Sequence, residues 1–338
     1  MKADGPRARP AARVRIWRLA LIAGVALALA PGTFVRTSIG TRTDPTVVTI
    51  APRPERSGVA GELALTGVWE LTSPHGWFGG FSALVAGRGQ ALVAGTDRGF
   101  LFDIDLASGS PRAVPGSFRY AATRTNGRKE VVDLESLARD PVSGTLWAGF
   151  ETRNVIVRYA PGGARSFHAP PAMAGWSDNS GPEAMVRLAD GRFLVISEGT
   201  VRGSPDQHEA LLFAGDPVEG VAPQPFRFAA PANFDPVDAT QLPDGRVLIL
   251  LRRVLYTLPA ATFDTAIAIA DPAEIRAGRP WRARVIQRME RGIFADNFEG
   301  IAFVPSPDDP ARGAVWVIAD DNLSVFQRSL LIRFDWRG

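Results

Sequence analysis

The chain has 338 residues, 46% apolar and 22% charged, which suffices for a sizeable core and excludes a disordered, collagen-like or polytopic membrane protein. Cysteine is absent, which excludes disulfides, a thiolate nucleophile and Cys-ligated metal sites. The formal charge is +3, but residues 1–30 hold six basic side chains against one acid, Asp4, so the rest carries −2 and nucleic acid is not expected as a partner.

In chain order, residues 1–18 are basic and polar, and Leu19 to Ala30 is a run of 12 apolar residues. A charged stretch followed by an apolar one of that length is the pattern of a secretory signal. Ala26-Leu27-Ala28 offers a small–x–small cleavage site. The competing reading is an uncleaved anchor, with the apolar stretch extended to Val35 across Pro31 and Gly32. Residues 1–30 are therefore expected to be a signal peptide or N-terminal anchor. In a bacterial cell either would place the body in the periplasm, or secrete it, or hold it at the inner membrane. Residues 31–62 read as a linker, rich in Pro, Gly, Thr and Arg without period. Residues 63–338 read as the folded domain.

Five segments of that domain look alike: an apolar strand, a tight turn, and a second strand ending in a charge. They begin at Ser82, Glu135, Glu183, Asp238 and Glu299, at intervals of 53, 48, 55 and 61 residues. The Asp-Gly pairs at 190–191 and 244–245 lie between apolar runs, a strong hairpin signal. Further strand-like runs follow each hairpin, such as 99–106, 155–159, 209–214 and 224–229. In the fourth unit they are Val254-Leu255-Tyr256-Thr257-Leu258 and then 283–288. Four strands per roughly 50 residues is the signature of a propeller blade. The expectation is an all-β fold, a β-propeller of four-stranded antiparallel blades, five in number. Six is the alternative if a degenerate blade lies within 259–298. The last unit lacks a fourth strand, and residues 65–71 (LTGVWEL) can supply it by pairing the chain's start into the last blade.

The residue opening the first strand and the one closing the second share one mouth of a propeller. Those positions hold Ser82 and Asp97, Glu135 and Glu151, Glu183 and Glu198, Asp238 and Arg252, and Glu299 with Asp320 and Asp321. Crowded carboxylates raise one another's pKa or demand a cation. An oxygen-only donor set without thiolates suits Ca²⁺ or Mg²⁺. Glu135, Glu183, Asp238, Glu299, Asp320 and Asp321 are thus candidate metal ligands, with Ca²⁺ the expected cofactor. Arg98, Arg153, Arg252 and Arg328 are interleaved with them and are candidates to hold an anionic substrate. Arg–carboxylate pairing that merely pins the blades is the structural alternative.

The segment Asp296-Asn297-Phe298-Glu299-Gly300-Ile301-Ala302-Phe303, with 315–336 after it, resembles the phytase-like family called "esterase-like activity of phytase". Asp320-Asp321-Asn322 and Gln327-Arg328 carry the likeness further, as do the segments 133–140, 180–192 and 94–99. The resemblance implies an exported bacterial propeller-like domain whose activity is assigned largely by the family's name, and it brings no catalytic residue set with it. This chain departs from the pattern at Leu251-Arg252-Arg253, where an acid is lost.

Other chemistry finds little support. There is no HExxH zinc motif and no GxSxG nucleophile elbow. Of the three histidines, His75 reads as a turn residue, His168 as part of an outer strand and His208 as part of a loop. Trp77 and Trp176 read as loop residues able to line a binding face. Two functions remain. One is a metal-dependent hydrolase of phosphoric or carboxylic esters at an acidic, arginine-rimmed mouth. The other is a non-catalytic periplasmic propeller that binds a ligand or protein partner.

Overall fold

The computed structural model describes residues 18, 20, 21, 24, 47–54, 59–121, 123–124, 130–131, 133–177, 180–256, 261–324 and 327–337. The expected signal or anchor over 1–30 therefore lies almost wholly outside the described residues. No helix among those described is long and apolar enough to cross a membrane.

Five mainly antiparallel sheets stand around one axis as the blades of a propeller. The innermost strands are Phe81–Ala86, Leu134–Arg139, Pro182–Arg187, Asp235–Gln241 and Asn297–Pro305. Their hairpin partners are Ala91–Thr96, Leu146–Phe150, Phe193–Val201, Val247–Leu255 and Gly313–Asp320. The third strands are Phe100–Asp105, Val155–Tyr159, Ser204–Phe213, Thr262–Ala270 and Leu330–Trp336. The Asp-Gly turns of blades three and four place Gly191 and Gly245 at φ 89 and 92, where a side chain would be strained.

The ring closes as expected. Ala64–Thr72 is the fourth strand of the last blade, with Trp69 opposite Leu331 and Val68 opposite Ile332. Closure pairs both ends of the chain in one sheet, so the blade has no seam between them.

Two expectations are corrected, and the six-blade alternative is set aside. The third strand of blade four is Thr262–Ala270, whereas Val254 and Leu255 finish its second strand. Its sequence, TFDTAIAIA, holds Thr, Phe and Ile suited to a strand, but the apolar run at Val254 and Leu255 precedes it and looked like the third strand. No sixth blade fills the long interval, which supplies blade four's third strand and its fourth, Arg284–Met289. It also lends Trp281–Arg282 to the edge of blade three as a parallel fifth strand. The stretch read as a linker is structured at its end: Thr49–Pro52 edges blade five and Val59–Gly61 edges blade four.

The core is five slabs, one between each pair of neighbouring blades. Strand Val247–Leu255 shows why. Val247, Ile249 and Leu251 face blade three, while Leu248 and Leu250 face blade five. Both faces are buried, so the strand reads as a continuous apolar run and not as an alternating one.

The inner strands converge on the axis and are tied across blades by side chains. Ser82 Oγ donates to the Leu134 carbonyl, and Ser136 Oγ donates to the Pro182 carbonyl at 2.5 Å. The Phe303 N–H donates to Thr240 Oγ1 at 3.1 Å. Asp238, fully buried, accepts the N–H groups of Ile301 at 2.8 Å, Leu84 at 3.3 Å and Ala239 at 2.8 Å. One carboxylate therefore joins the inner strands of blades four, five and one.

Candidate functional site

Every inner strand carries a β-bulge at the same height. The extra residues are Ser82, Glu135, Glu183, Val237 and Glu299, each set against a single step of the partner strand. A bulge re-aims the inserted side chain, and here it turns three glutamates toward the mouth. Along each second strand, one residue past the step that faces the bulge, stand Asp97, Glu151, Glu198, Arg252 and Asp320, which form a second ring at that mouth.

The bulge corrects the placement of Asp238. The residue equivalent to Glu135, Glu183 and Glu299 in blade four is Val237. Asp238 lies one step deeper, is spent on three backbone N–H groups, and is no metal ligand of the mouth. The sequence carried the sign: the two Asp-Gly turns are 54 residues apart, whereas Glu183 and Asp238 are 55 apart.

Five carboxylates gather between blades two and three. Asp133, Glu135 and Glu151 bring oxygens within 4.8 Å of one another, and so do Glu151, Glu183 and Glu198. Asp133 has φ 80 and is pinned through its backbone. Its N–H donates to the Asp97 carbonyl at 2.8 Å, and its carbonyl accepts from the Glu151 N–H at 2.9 Å. Thr152 Oγ1 donates to its carboxylate at 2.7 Å. Asp133 was not among the expected ligands, although its Asp-x-Glu spacing to Glu135 was visible. Glu151 and Glu198 were expected at the mouth only as closing charges.

The electrostatics follow from crowding out of water. Burial, then the charges of Glu183 and Glu299, holds Glu135 well above the usual carboxylate range. Burial and the neighbouring Glu198 and Glu151 do the same to Glu183. Burial pushes Glu151 up to about 7, against the pull of its contacts with Glu183 and the Gly181 N–H. Asp97 is raised to about 6 by burial, with Arg98 opposing. Glu183 is only 7% exposed, and its Oε1 has no hydrogen-bond partner. A buried, orphaned carboxylate oxygen is costly unless a proton or cation satisfies it.

Glu299 and Asp320 lie at the same mouth but are otherwise engaged. Asn297 Nδ2 donates to both, at 2.8 and 3.2 Å. Asp321 accepts from the Gly80 and Leu323 N–H groups at 3.0 and 2.9 Å and from Ser329 Oγ at 2.9 Å, the contacts of a turn former. Gly79 and Gly80 are required there. A Cβ on Gly79 would lie 2.6 Å from the Asp321 carboxylate, and one on Gly80 would lie 2.4 Å from that of Asp97.

The four arginines differ in what they can do. Arg252 is enclosed, bonding Glu299, Glu198 at 2.5 Å and Asn297 at 3.1 Å. Burial would depress its guanidinium, but Glu299 and Glu198 outweigh that and raise it. It occupies a ring position that is acidic in the other four blades, so it acts as a built-in cation and not as a substrate anchor. Replacing Arg252 with glutamine should cost about 3 kcal/mol, because it leaves buried carboxylates unpaired. The double variant with Glu299→Gln should recover part of that loss in urea melts, and no recovery would dissociate the pair. Arg98 lies over the Trp77 ring at 4.6 Å. Arg153 is exposed, and Arg328 faces the buried Asp296 at 3.8 Å.

His208 is not in a loop. It is fully buried in the third strand of blade three, with Nδ1 2.9 Å from the Glu198 carbonyl. Trp176 packs in the core between blades two and three, away from the mouth, and lines a cavity on the flank of blade three. That cavity, of about 730 Å³, lies among Gln207, Glu209, Arg227 and Arg279, and none of the mouth carboxylates lines it.

Residues 76–323 match the family model "Phytase-like: Esterase-like activity of phytase". The chain belongs to the phytase-like family. All the mouth residues, from Asp97 to Asp321, fall within the phytase-like match, whereas the strands that close the ring, Ala64–Thr72 and Leu330–Trp336, fall outside it. No curated protein matches the chain.

Solved structures similar to this phytase-like chain include an exo-1,5-α-L-arabinanase from a bovine ruminal metagenomic library. It is 11% identical, with a TM-score of 0.45, covering 76% of this chain and 93% of its own. An inactive virginiamycin B lyase from Staphylococcus aureus with quinupristin is 11% identical, with a TM-score of 0.42, covering 86% and 100%. A nidogen/laminin complex is 10% identical, with a TM-score of 0.41, covering 79% and 91%.

Proposed function

We propose that this phytase-like propeller is an exported, cation-dependent hydrolase that cleaves an ester of an anionic substrate at its acidic mouth, with Ca²⁺ as the cation. The observation that carries the reading is Glu183: nine-tenths buried, one oxygen orphaned, and aimed into a group of carboxylates whose oxygens lie within 4.8 Å. Two oxygens on opposite sides of a Ca²⁺ ion are about 4.8 Å apart, so the donor set suits an ion of that size and hardness.

Glu151, Glu183 and Glu198 would hold the cation, and a bound Ca²⁺ would polarise an ester oxygen and acidify a water. Asp97, held near 6 and placed across the mouth in blade one, is the group assigned to proton transfer near neutrality. Arg98 and Arg153 remain to orient the anion, because Arg252 is committed to Glu198 and Glu299.

The test strips the purified protein with EDTA and assays p-nitrophenyl phosphate and p-nitrophenyl acetate with and without Ca²⁺ or Mg²⁺. Cation-dependent turnover of one ester is expected, reduced about 100-fold in Glu183→Gln with the circular dichroism unchanged. Saturating Ca²⁺ should also raise the Tm by about 5 °C. A Tm shift without turnover of either ester would select the binding-propeller reading. The absence of both would remove the cation from the account.

A further inference from the structure

The 61-residue interval between the fourth and fifth units is the longest in the chain's repeat, and no sixth blade fills it. Part of it is an excursion. After Thr262–Ala270 the chain leaves blade four, adds Trp281–Arg282 to the edge of blade three, and returns as Arg284–Met289. The excursion is pinned. Trp281 is buried against the rings of Phe226 and Phe228, and its Nε1 donates to the Asp271 carbonyl at 2.8 Å. The Asp271 carboxylate accepts the Ala273 N–H at 2.8 Å, and Gly278 turns the chain at φ 75. A segment held in this way presents its exposed side chains in fixed places, and those include Arg276, Arg279 and Arg282.

The excursion borders the cavity on the flank of blade three. In strand Ser204–Phe213, His208 and Ala210 turn into the core, which sends Gln207 and Glu209 to the other face. Arg227 stands opposite Glu209 in the next strand and shares that face. Arg279 comes from the excursion, and Trp176 and Pro225 give an apolar wall; together they help enclose about 730 Å³. A second cavity of about 620 Å³ shares Gly278, Arg279 and Pro280 with the first and adds Arg276 and Arg282. Four guanidiniums thus line the two cavities, against the carboxylates of Glu209 and Glu274. None of the four is ion-paired among the described residues. Arg227 donates to the Gln207 amide oxygen at 3.4 Å, and Arg276 to the Ala273 and Ile275 carbonyls. The chain beyond residue 30 carries a net −2, so four arginines without acidic partners are a local feature of this flank.

We propose that the flank of blade three binds an anionic sugar, a short glycan bearing carboxylate or phosphate groups. Arg227 and Arg279 offer planar N–H donors with no acid to claim them, the donors that a carboxylate or phosphate pairs with. Glu209 and Gln207 accept the hydroxyls of a sugar ring. Trp176 and Pro225 offer an apolar surface for the ring's C–H face, and the volume falls in the range of small-molecule sites. The site takes no residue from the mouth, so sugar binding needs no cation there and is separable from the hydrolase reading.

The experiment is isothermal titration calorimetry of the full chain in EDTA, which keeps cations from the mouth. The probes are trigalacturonate, trehalose 6-phosphate, neutral maltotriose and triglutamate. One site is expected for trigalacturonate or trehalose 6-phosphate, and the tighter of the two identifies the acidic group. Maltotriose and triglutamate should each bind at least about 10-fold more weakly. Arg227→Gln and Arg279→Gln should each weaken the anionic sugar about 10-fold, while Glu183→Gln in the mouth leaves it unchanged. Both arginines are exposed, so the variants should fold, and circular dichroism checks this. On the wild type alone, affinity should fall about 10-fold from low to high salt. Binding of neither anionic sugar overturns the proposal, as does binding that both arginine variants and salt leave untouched, or that Glu183→Gln removes. Maltotriose binding as tightly as the anionic sugars overturns the role of charge, and triglutamate doing so replaces the glycan with an acidic peptide.

Discussion

Replacing Asp238 with alanine is expected to lower the stability of the protein by about 4–6 kcal/mol and its Tm by about 10 °C. The reason is a count of donors. The carboxylate is fully buried and accepts three backbone N–H groups, from Leu84, Ala239 and Ile301. Alanine would strand all three, at about 1–3 kcal/mol each, and would leave a cavity on the axis. Burial raises the Asp238 carboxyl well above the ordinary range despite those three bonds, so its proton uptake is part of the same balance. Asp238→Asn keeps one acceptor oxygen and should cost about 1–2 kcal/mol. Chemical denaturation of both variants is the measurement. A loss in Asp238→Ala no larger than in Asp238→Asn would show that water satisfies those N–H groups and that the three-blade tie is incidental. Because the residue lies below the mouth, cation binding should survive in Asp238→Asn.

The cation-free protein should be more stable at about pH 5 than at about pH 8, the reverse of the usual acid sensitivity. The sign follows from the mouth. Glu151 is raised to about 7 and Asp97 and Asp296 to about 6, each chiefly by burial. Glu135, Glu183 and Asp320 are raised further in the same direction. A carboxyl whose folded pKa lies above its unfolded value binds protons more tightly when folded. Its contribution is fully present below about pH 4 and is lost as the pH rises through about 6 to 7. In EDTA the Tm should therefore fall by several degrees between about pH 5 and 8. Ca²⁺ should raise it strongly at pH 8 and little at pH 5, because protons compete for the same oxygens. Differential scanning calorimetry with EDTA and with Ca²⁺ at both pH values reads this directly. A flat or rising Tm in EDTA would mean that the arginines already neutralise the mouth and that no cation is called for.

Much of the fold was legible in the residues. Apolar pairs of strands around Asp-Gly turns recur at blade spacing, and a propeller is the arrangement that buries both faces of every strand. The missing last strand pointed to 65–71, and Ala64–Thr72 fills it. Hydrophobic pattern and turn chemistry are local, so they can be read locally. The third strand of blade four was missed because the apolar run at Val254 and Leu255 looked like its start, whereas that run prolongs the second strand and TFDTAIAIA, with its Thr, Phe and Ile, follows it.

The acidic mouth was legible as composition, since Glu135, Glu183 and Glu299 recur at the opening of a strand. What the sequence by itself determined is the repeat, the closure of the ring and the presence of carboxylates at one end. What the tertiary structure alone decided is which of them meet. The bulge in each inner strand shifts the register by one residue, which leaves Val237 at the bulge, packed into the core, and sends Asp238 to the axis. It also allows Glu151 and Glu198, from second strands of different blades, to reach the same space as Glu183. Such contacts depend on distances of a few ångströms between chain segments dozens of residues apart. Strand periodicity carries no record of them, because a one-residue slip changes every side chain's destination while leaving the local pattern nearly the same.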